Sequence, residues 1–145
     1  MVMVLALVTP VKMIQIGAGS NATNATVQLM RDLARQGAKN PLVRQFTAHL
    51  VQDRVQKDYL GEIRRVHAYV RDHIRYLRDI RGVETLHAAE YILRHKHGDC
   101  DDKTILTCAM LESIGHKTRI TVVDTNGFGY CHVLPEVEYK GKWIP

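Results

Sequence analysis

The sequence has little of what would mark several functional classes outright. Aromatic side chains make up 6% of its 145 residues, with one Trp and two Phe. Nucleic-acid-binding surfaces normally show clustered aromatics or a glycine-rich motif, and neither is present, so nucleic acid is not an expected partner. Cysteine occurs three times, an odd number in a chain without a convincing secretion leader. A disulfide framework is therefore not expected, and a reducing compartment is. There is no Cys-x-x-Cys pair. The longest apolar run, residues 1–8, lacks a positive leader and stops near Pro10. It is far short of the roughly 20 residues that span a bilayer, and reads as a buried strand or docking segment. The Asn-x-Thr sequons at Asn21 and Asn24 carry no weight without secretion. No repeat, low-complexity run or linker divides the chain.

What is there is ordinary globular composition: 46% hydrophobic and 24% charged, enough to bury one core. The net charge is +5. Much of the excess lies in Arg64, Arg65, Arg71, Arg75, Arg78 and Arg81. Glu62, Asp72 and Asp79 interleave with them, as on a solvated helix face.

The first two-thirds read helical. Val27, Met30, Leu33 and Ala34 form a stripe closed by Gly37. Asn40-Pro41 reads as an N-cap with proline at the first helical position, opening a helix lined by Leu42, Val43, Phe46, Leu50 and Val51. Apolar residues three or four apart predict a third helix from about Tyr59 to Leu77, broken by Arg81-Gly82. Thr85 is placed to cap a short helix bearing Leu86, Ala89, Ile92 and Leu93. A fifth helix starts at Asp99 or Cys100 and runs to Ile114, with Gly115 as its stop. It is apolar on several faces, as a helix inside a domain is. Strand signals follow at 119–123, at Cys131 to Tyr139, and from Lys142 onward beyond a Lys140-Gly141 turn. Helices first and antiparallel strands after predict an α+β domain over 1–145, with a helical part (1–58) and a core (59–145) that carries the chemistry.

That chemistry centres on Gly98-Asp-Cys-Asp-Asp102. A helix N-terminus leaves backbone N–H groups unpaired and carries partial positive charge, which favours a thiolate. Cys100 is thus a better nucleophile than a mid-helix cysteine, with a pKa expected to fall and the fastest alkylation of the three. Gly98 allows a sharp turn and leaves room for a substrate carbonyl. The Cys100 N–H is placed to stabilise an oxyanion. Asp99, Asp101 and Asp102 oppose the thiolate, so an imidazolium has to outweigh them. His132, on a strand after a glycine-rich turn, is the general base that thiol activation requires. Adjacent strand residues point to opposite faces, so a His132 facing the helix makes Cys131 a packing residue. Cys108 reads as core. A zinc site drawn from His95, His97, Cys100, Cys131 and His132 is a separate reading, without the spacing zinc fingers use.

Arg75-Tyr76, Gly98-Asp-Cys-Asp-Asp102, Leu111-Glu-Ser-Ile-Gly115 with Thr118-Arg119, His132-Val-Leu-Pro-Glu136 and Gly141-Lys-Trp-Ile-Pro145 occur in an order that resembles the transglutaminase-like superfamily. These are papain-like thiol enzymes of bacteria and phages, and the resemblance covers about residues 63–145. It implies a papain-like core with Cys100 as nucleophile and His132 as base, with Gly98 and Asp102 in support. It implies no cofactor, a protein or peptide substrate, and a cytoplasmic site of action (host cell or virion for a phage protein). Hydrolysis is the expected reaction, since such relatives are often described as candidate cysteine proteases. The family's third member is an acid a few residues past the tryptophan, and the given sequence stops at Pro145, so the core reads as truncated. Glu136 is on the same strand face as His132 but about 13 Å away at 3.3 Å per residue. Asp124 is the nearest stand-in. The alternatives are a non-catalytic binding module that keeps the fold, or a zinc-binding domain.

Overall fold

The computed structural model describes residues 12–13, 20–79, 85–123 and 132–145. Its centre is α5 (Cys100–Ser113), where Ile105, Leu106, Cys108, Ala109 and Met110 have no exposed surface. Four helices pack around it: α1 (Ser20–Lys39), α2 (Pro41–Val51), α3 (Tyr59–His73) and α4 (Ala89–His95). A helix apolar on all sides has to be buried on all sides, and α5 is.

Gly37 does not close α1, as the sequence suggests; the helix runs through it to Lys39. Its role is contact. A Cβ there would lie 2.6 Å from that of Ala89 and 2.9 Å from that of Ala109, so its absence lets α1 press against α4 and α5 together. Asn40 caps α2 as expected, its side chain accepting from the N–H groups of Leu42 and Val43.

α3 stops four residues earlier than its apolar spacing predicts. Ile74 turns extended (φ −102°, ψ 108°), and Arg75–Tyr76 (β2) pairs in parallel with His97–Gly98 (β4). Ile74 is buried all the same, so the spacing found a core residue but not the backbone that carries it. Thr85 caps no helix either. Thr85–Leu86 is β3, paired with Lys12–Met13 (β1), and α4 begins after Ala88 without a side-chain cap. The apolar run 1–8, Arg81-Gly82, Asp124 and Cys131 lie outside the described residues.

The remaining strands form one antiparallel sheet, β5 (Thr118–Val123), β6 (His132–Tyr139) and β7 (Lys142–Ile144), in that order. Val133 and Val137 on β6 are buried, and β6 packs against α5. Helices on one side and an antiparallel sheet on the other make the molecule α+β.

Candidate active site

Cys100 is the first residue of α5, directly after its cap. Asp99 is extended (φ −86°, ψ −166°), and its carboxylate accepts the Asp102 N–H at 3.0 Å. That bond fixes the helix start and therefore the Cys100 thiol. The thiol is half-buried beside the beginning of β6, where the Val133 N–H donates to the sulfur.

The electrostatics run against the expected thiolate. Burial pushes the Cys100 pKa up to about 11, and the neighbouring carboxylates of Asp101 and Asp99 add to that. The thiol donates to Asp101 Oδ1 at 3.5 Å, which stabilises the protonated form. The helix terminus does not offset this, because three carboxyls share it. The direction is thus the opposite of the lowered pKa that the helix terminus suggested: burial and the two carboxylates favour the protonated thiol. Cys108 is also raised to about 11, chiefly by burial, and is enclosed in the core as expected.

His132 is the first residue of β6, opposite Val123, and is exposed. Val133 is 1% exposed, so strand alternation separates the two side chains. Cys100 and the strand bearing His132 are therefore adjacent, while no hydrogen bond joins the thiol to the imidazole. Glu136 accepts from Arg119 (2.5 Å) and Thr121 (2.7 Å), so it is engaged away from His132.

Gly98 serves a different purpose from the one read in the sequence. It has no positive φ among the described backbone. A Cβ on it would fall 2.5 Å from the Asp102 Cβ, so glycine is needed for the close pass of β4 over α5. Asp102, 1% exposed, is spoken for. Its Oδ1 accepts the His87 N–H at 3.0 Å, and its Oδ2 lies 2.9 Å from His87 Nδ1.

That clamp is the feature that sequence reasoning missed. Burial pulls the His87 pKa down, but the Asp102 hydrogen bond and the charges of Asp102, Asp79 and Asp99 raise it overall. The His87 ring stacks on Tyr91 (centroids 4.6 Å apart), and Tyr91 stacks on His95 (4.0 Å). The four-residue spacing of His87, Tyr91 and His95 was the available signal. Asp79 completes the group. It accepts the Thr85 N–H at 2.6 Å and hydrogen-bonds Asp99, and burial raises its pKa. Burial lifts Asp99 to about 7, with Asp102, Asp101 and Asp79 adding to the rise.

Among the described residues no group of three or more His, Cys, Asp or Glu is arranged to hold a metal. What the arrangement offers is a protonated, half-buried thiol with backbone N–H groups beside it and an exposed imidazole on the next element. A thiol of that kind becomes a nucleophile when a base removes its proton during attack.

The family model for the transglutaminase-like superfamily matches residues 44–145. No curated protein matches the chain. A protein from Parabacteroides distasonis, whose solved structure is described as that of a "putative protease", is similar in fold at a TM-score of 0.66 and 11% identity. The match covers 93% of this chain and 35% of that one, so the chain spans about a third of its neighbour's length. The family model covers well over half of the chain, which contains the cysteine-bearing helix start and the histidine strand; the chain belongs to the transglutaminase-like superfamily.

Proposed function

We propose that the protein is a cysteine-dependent acyl-transfer enzyme that hydrolyses a peptide or amide bond through a thioester on Cys100. The observation that carries this reading is the seat of the thiol: the first residue of a buried helix, half-exposed, and touching the strand that begins with His132. Because the thiol is protonated, the mechanism runs by general-base attack rather than through a standing ion pair. The His132 ring starts on the face of β6 opposite Val133, so the first residue of β6 has to twist for the imidazole to reach the sulfur and take its proton as sulfur attacks the carbonyl. The Cys100 N–H donates to the developing oxyanion, while the Val133 N–H stays on the sulfur. The imidazolium then protonates the leaving amine, and water, deprotonated by the same ring, releases the acid. The active centre requires no cofactor.

A second reading, a binding module that retains the fold, is favoured by the raised thiol and by the absence of a thiol–imidazole hydrogen bond. Turnover separates the two. Incubation with a pool of fluorogenic peptides should give cleavage that disappears in Cys100→Ala, and cleavage unchanged in that variant would refute the enzyme reading. No cleavage of any peptide, together with a retained-fold Cys100→Ala that binds the same peptides equally well, would favour the module.

A further inference from the structure

The arginine row of α3 has a use that a solvated face does not explain. Gly61, Arg64, Arg65 and Ala68 share one face of α3 by their three- and four-residue spacing. With Arg54 and Asp58 from the preceding turn they line a cleft of about 300 Å³. That is the low end of the range for small-ligand sites. Gly61 and Ala68 leave its floor open, and a side chain at Gly61 would collide with the Asp58 carboxylate.

Charge in the cleft is incompletely balanced. Arg54 and Arg65 both reach the same Asp53 oxygen, at 3.4 and 3.2 Å, and that carboxylate is largely exposed. Its pKa is lowered, chiefly by Arg54. The Asp58 carboxylate is occupied by the Gly61 N–H as the helix cap. Arg54 Nε is buried with no acceptor. Arg64, exposed on the rim, hydrogen-bonds no described residue. Two guanidinium groups thus share the one Asp53 carboxylate, Arg65 also donating to the Leu50 carbonyl at 3.4 Å, while Arg64 stands beside them without a carboxylate.

From this geometry we propose that the cleft binds a phosphate group, free or carried on a larger ligand. Guanidinium forks match the oxygens of phosphate, and two or three of them neutralise its double charge. The cleft lies away from the thiol. Glu62, beside Gly61, bonds His116 at 2.8 Å, just past the end of α5 opposite Cys100. A 14-residue helix spans about 21 Å, so a ligand held here is anchored well outside the proposed reaction centre.

The test is an amide-resolved NMR titration of the whole chain with inorganic phosphate, ionic strength held constant with sodium chloride. Saturable shifts at Gly61, Arg64 and Arg65 are expected. Arg64→Gln should weaken them about tenfold while leaving the melting temperature unchanged, since that side chain is exposed and contributes a charged hydrogen bond only to ligand. Arg54→Gln should weaken binding as well, and neither change should alter alkylation of Cys100. Shifts that fail to saturate, that persist in both variants, or that acetate reproduces at equal concentration would overturn the proposal.

Discussion

The chemistry of Cys100 is set by what stands within one residue of it. Burial raises the Cys100 pKa to about 11, and Asp99, needed as the helix cap, and Asp101, which accepts a hydrogen bond from the thiol, add to the rise. Alkylation by iodoacetamide should consequently be slow at pH 7 and rise steadily up to pH 10, following the thiolate fraction. Cys100 should still label well before Cys108, which is fully enclosed. Mass mapping of each cysteine against pH checks this, and a rate already at its plateau at pH 7 would contradict the geometry. The motif Gly98-Asp-Cys-Asp-Asp102 was legible as the start of a helix with Cys100 at its first position. The direction of the pKa was not, because it depends on which carboxylates end up buried, and burial is a property of the packed helix. The spacing of His87, Tyr91 and His95 hinted at their stacking, but the pairing of His87 with Asp102, 15 residues away, is a property of the packed chain.

At the scale of elements, the start of α5 is held by groups whose protons count towards stability. Asp99 has a folded pKa of about 7, well above its usual value, mainly through burial. A carboxyl raised on folding keeps its proton in the native state where the unfolded chain has lost it. Stability therefore falls as pH rises from about 4 through 7. The raised pKa of His87 acts in the same direction: its contribution is present below about 6.5 and is lost as pH climbs through the raised value. The melting temperature should decline between pH 5 and pH 8. Asp99→Asn, which keeps a good cap, should flatten that decline and raise the melting temperature at pH 8. A steeper decline in the variant would refute the assignment. Gly37 gives a second check. Ala there should destabilise by about 1–3 kcal/mol through overpacking against Ala89 and Ala109, outweighing alanine's helix propensity, as measured by urea unfolding. Helix existence was legible from apolar spacing, and so were the capped starts of α2 and α5, but the ends of α1 and α3 were not. α3 ends at His73, and the Arg75 N–H then donates to the carbonyl of Lys96, just before β4, a contact no local pattern contains.

The whole molecule is organised around one buried helix, with a sheet in which β5 pairs with His132 and the Lys140-Gly141 turn sets the pairing of β6 with β7. Both central residues of that turn have positive φ, and Tyr139 then opposes Lys142 while Glu138 opposes Trp143. That register was readable from sequence, since a two-residue turn fixes the pairing of its strands. The α+β class was equally plain in the order of the elements. Among the described residues no helix is long and apolar enough to cross a membrane. Stability should concentrate in α5. Leu106→Ala, at a site with no exposed surface, should cost about 2–5 kcal/mol. Leu77→Ala, 46% exposed, should cost well under 1 kcal/mol by the same denaturant titration. Similar costs at the two sites would contradict the placement of the core.

The measurement closest to the central claim is covalent capture of the nucleophile by a peptide bearing an acyloxymethyl ketone at its carboxyl end. Intact mass and peptide mapping follow the adduct in the native chain and in His132→Ala. The account predicts one adduct, on Cys100, forming about 10²–10⁴ times more slowly without the imidazole. Alkylation by iodoacetamide at pH 10, where no base is needed, should be the same in both forms. An adduct on another residue, or equal capture rates at pH 7 with and without His132, would contradict it.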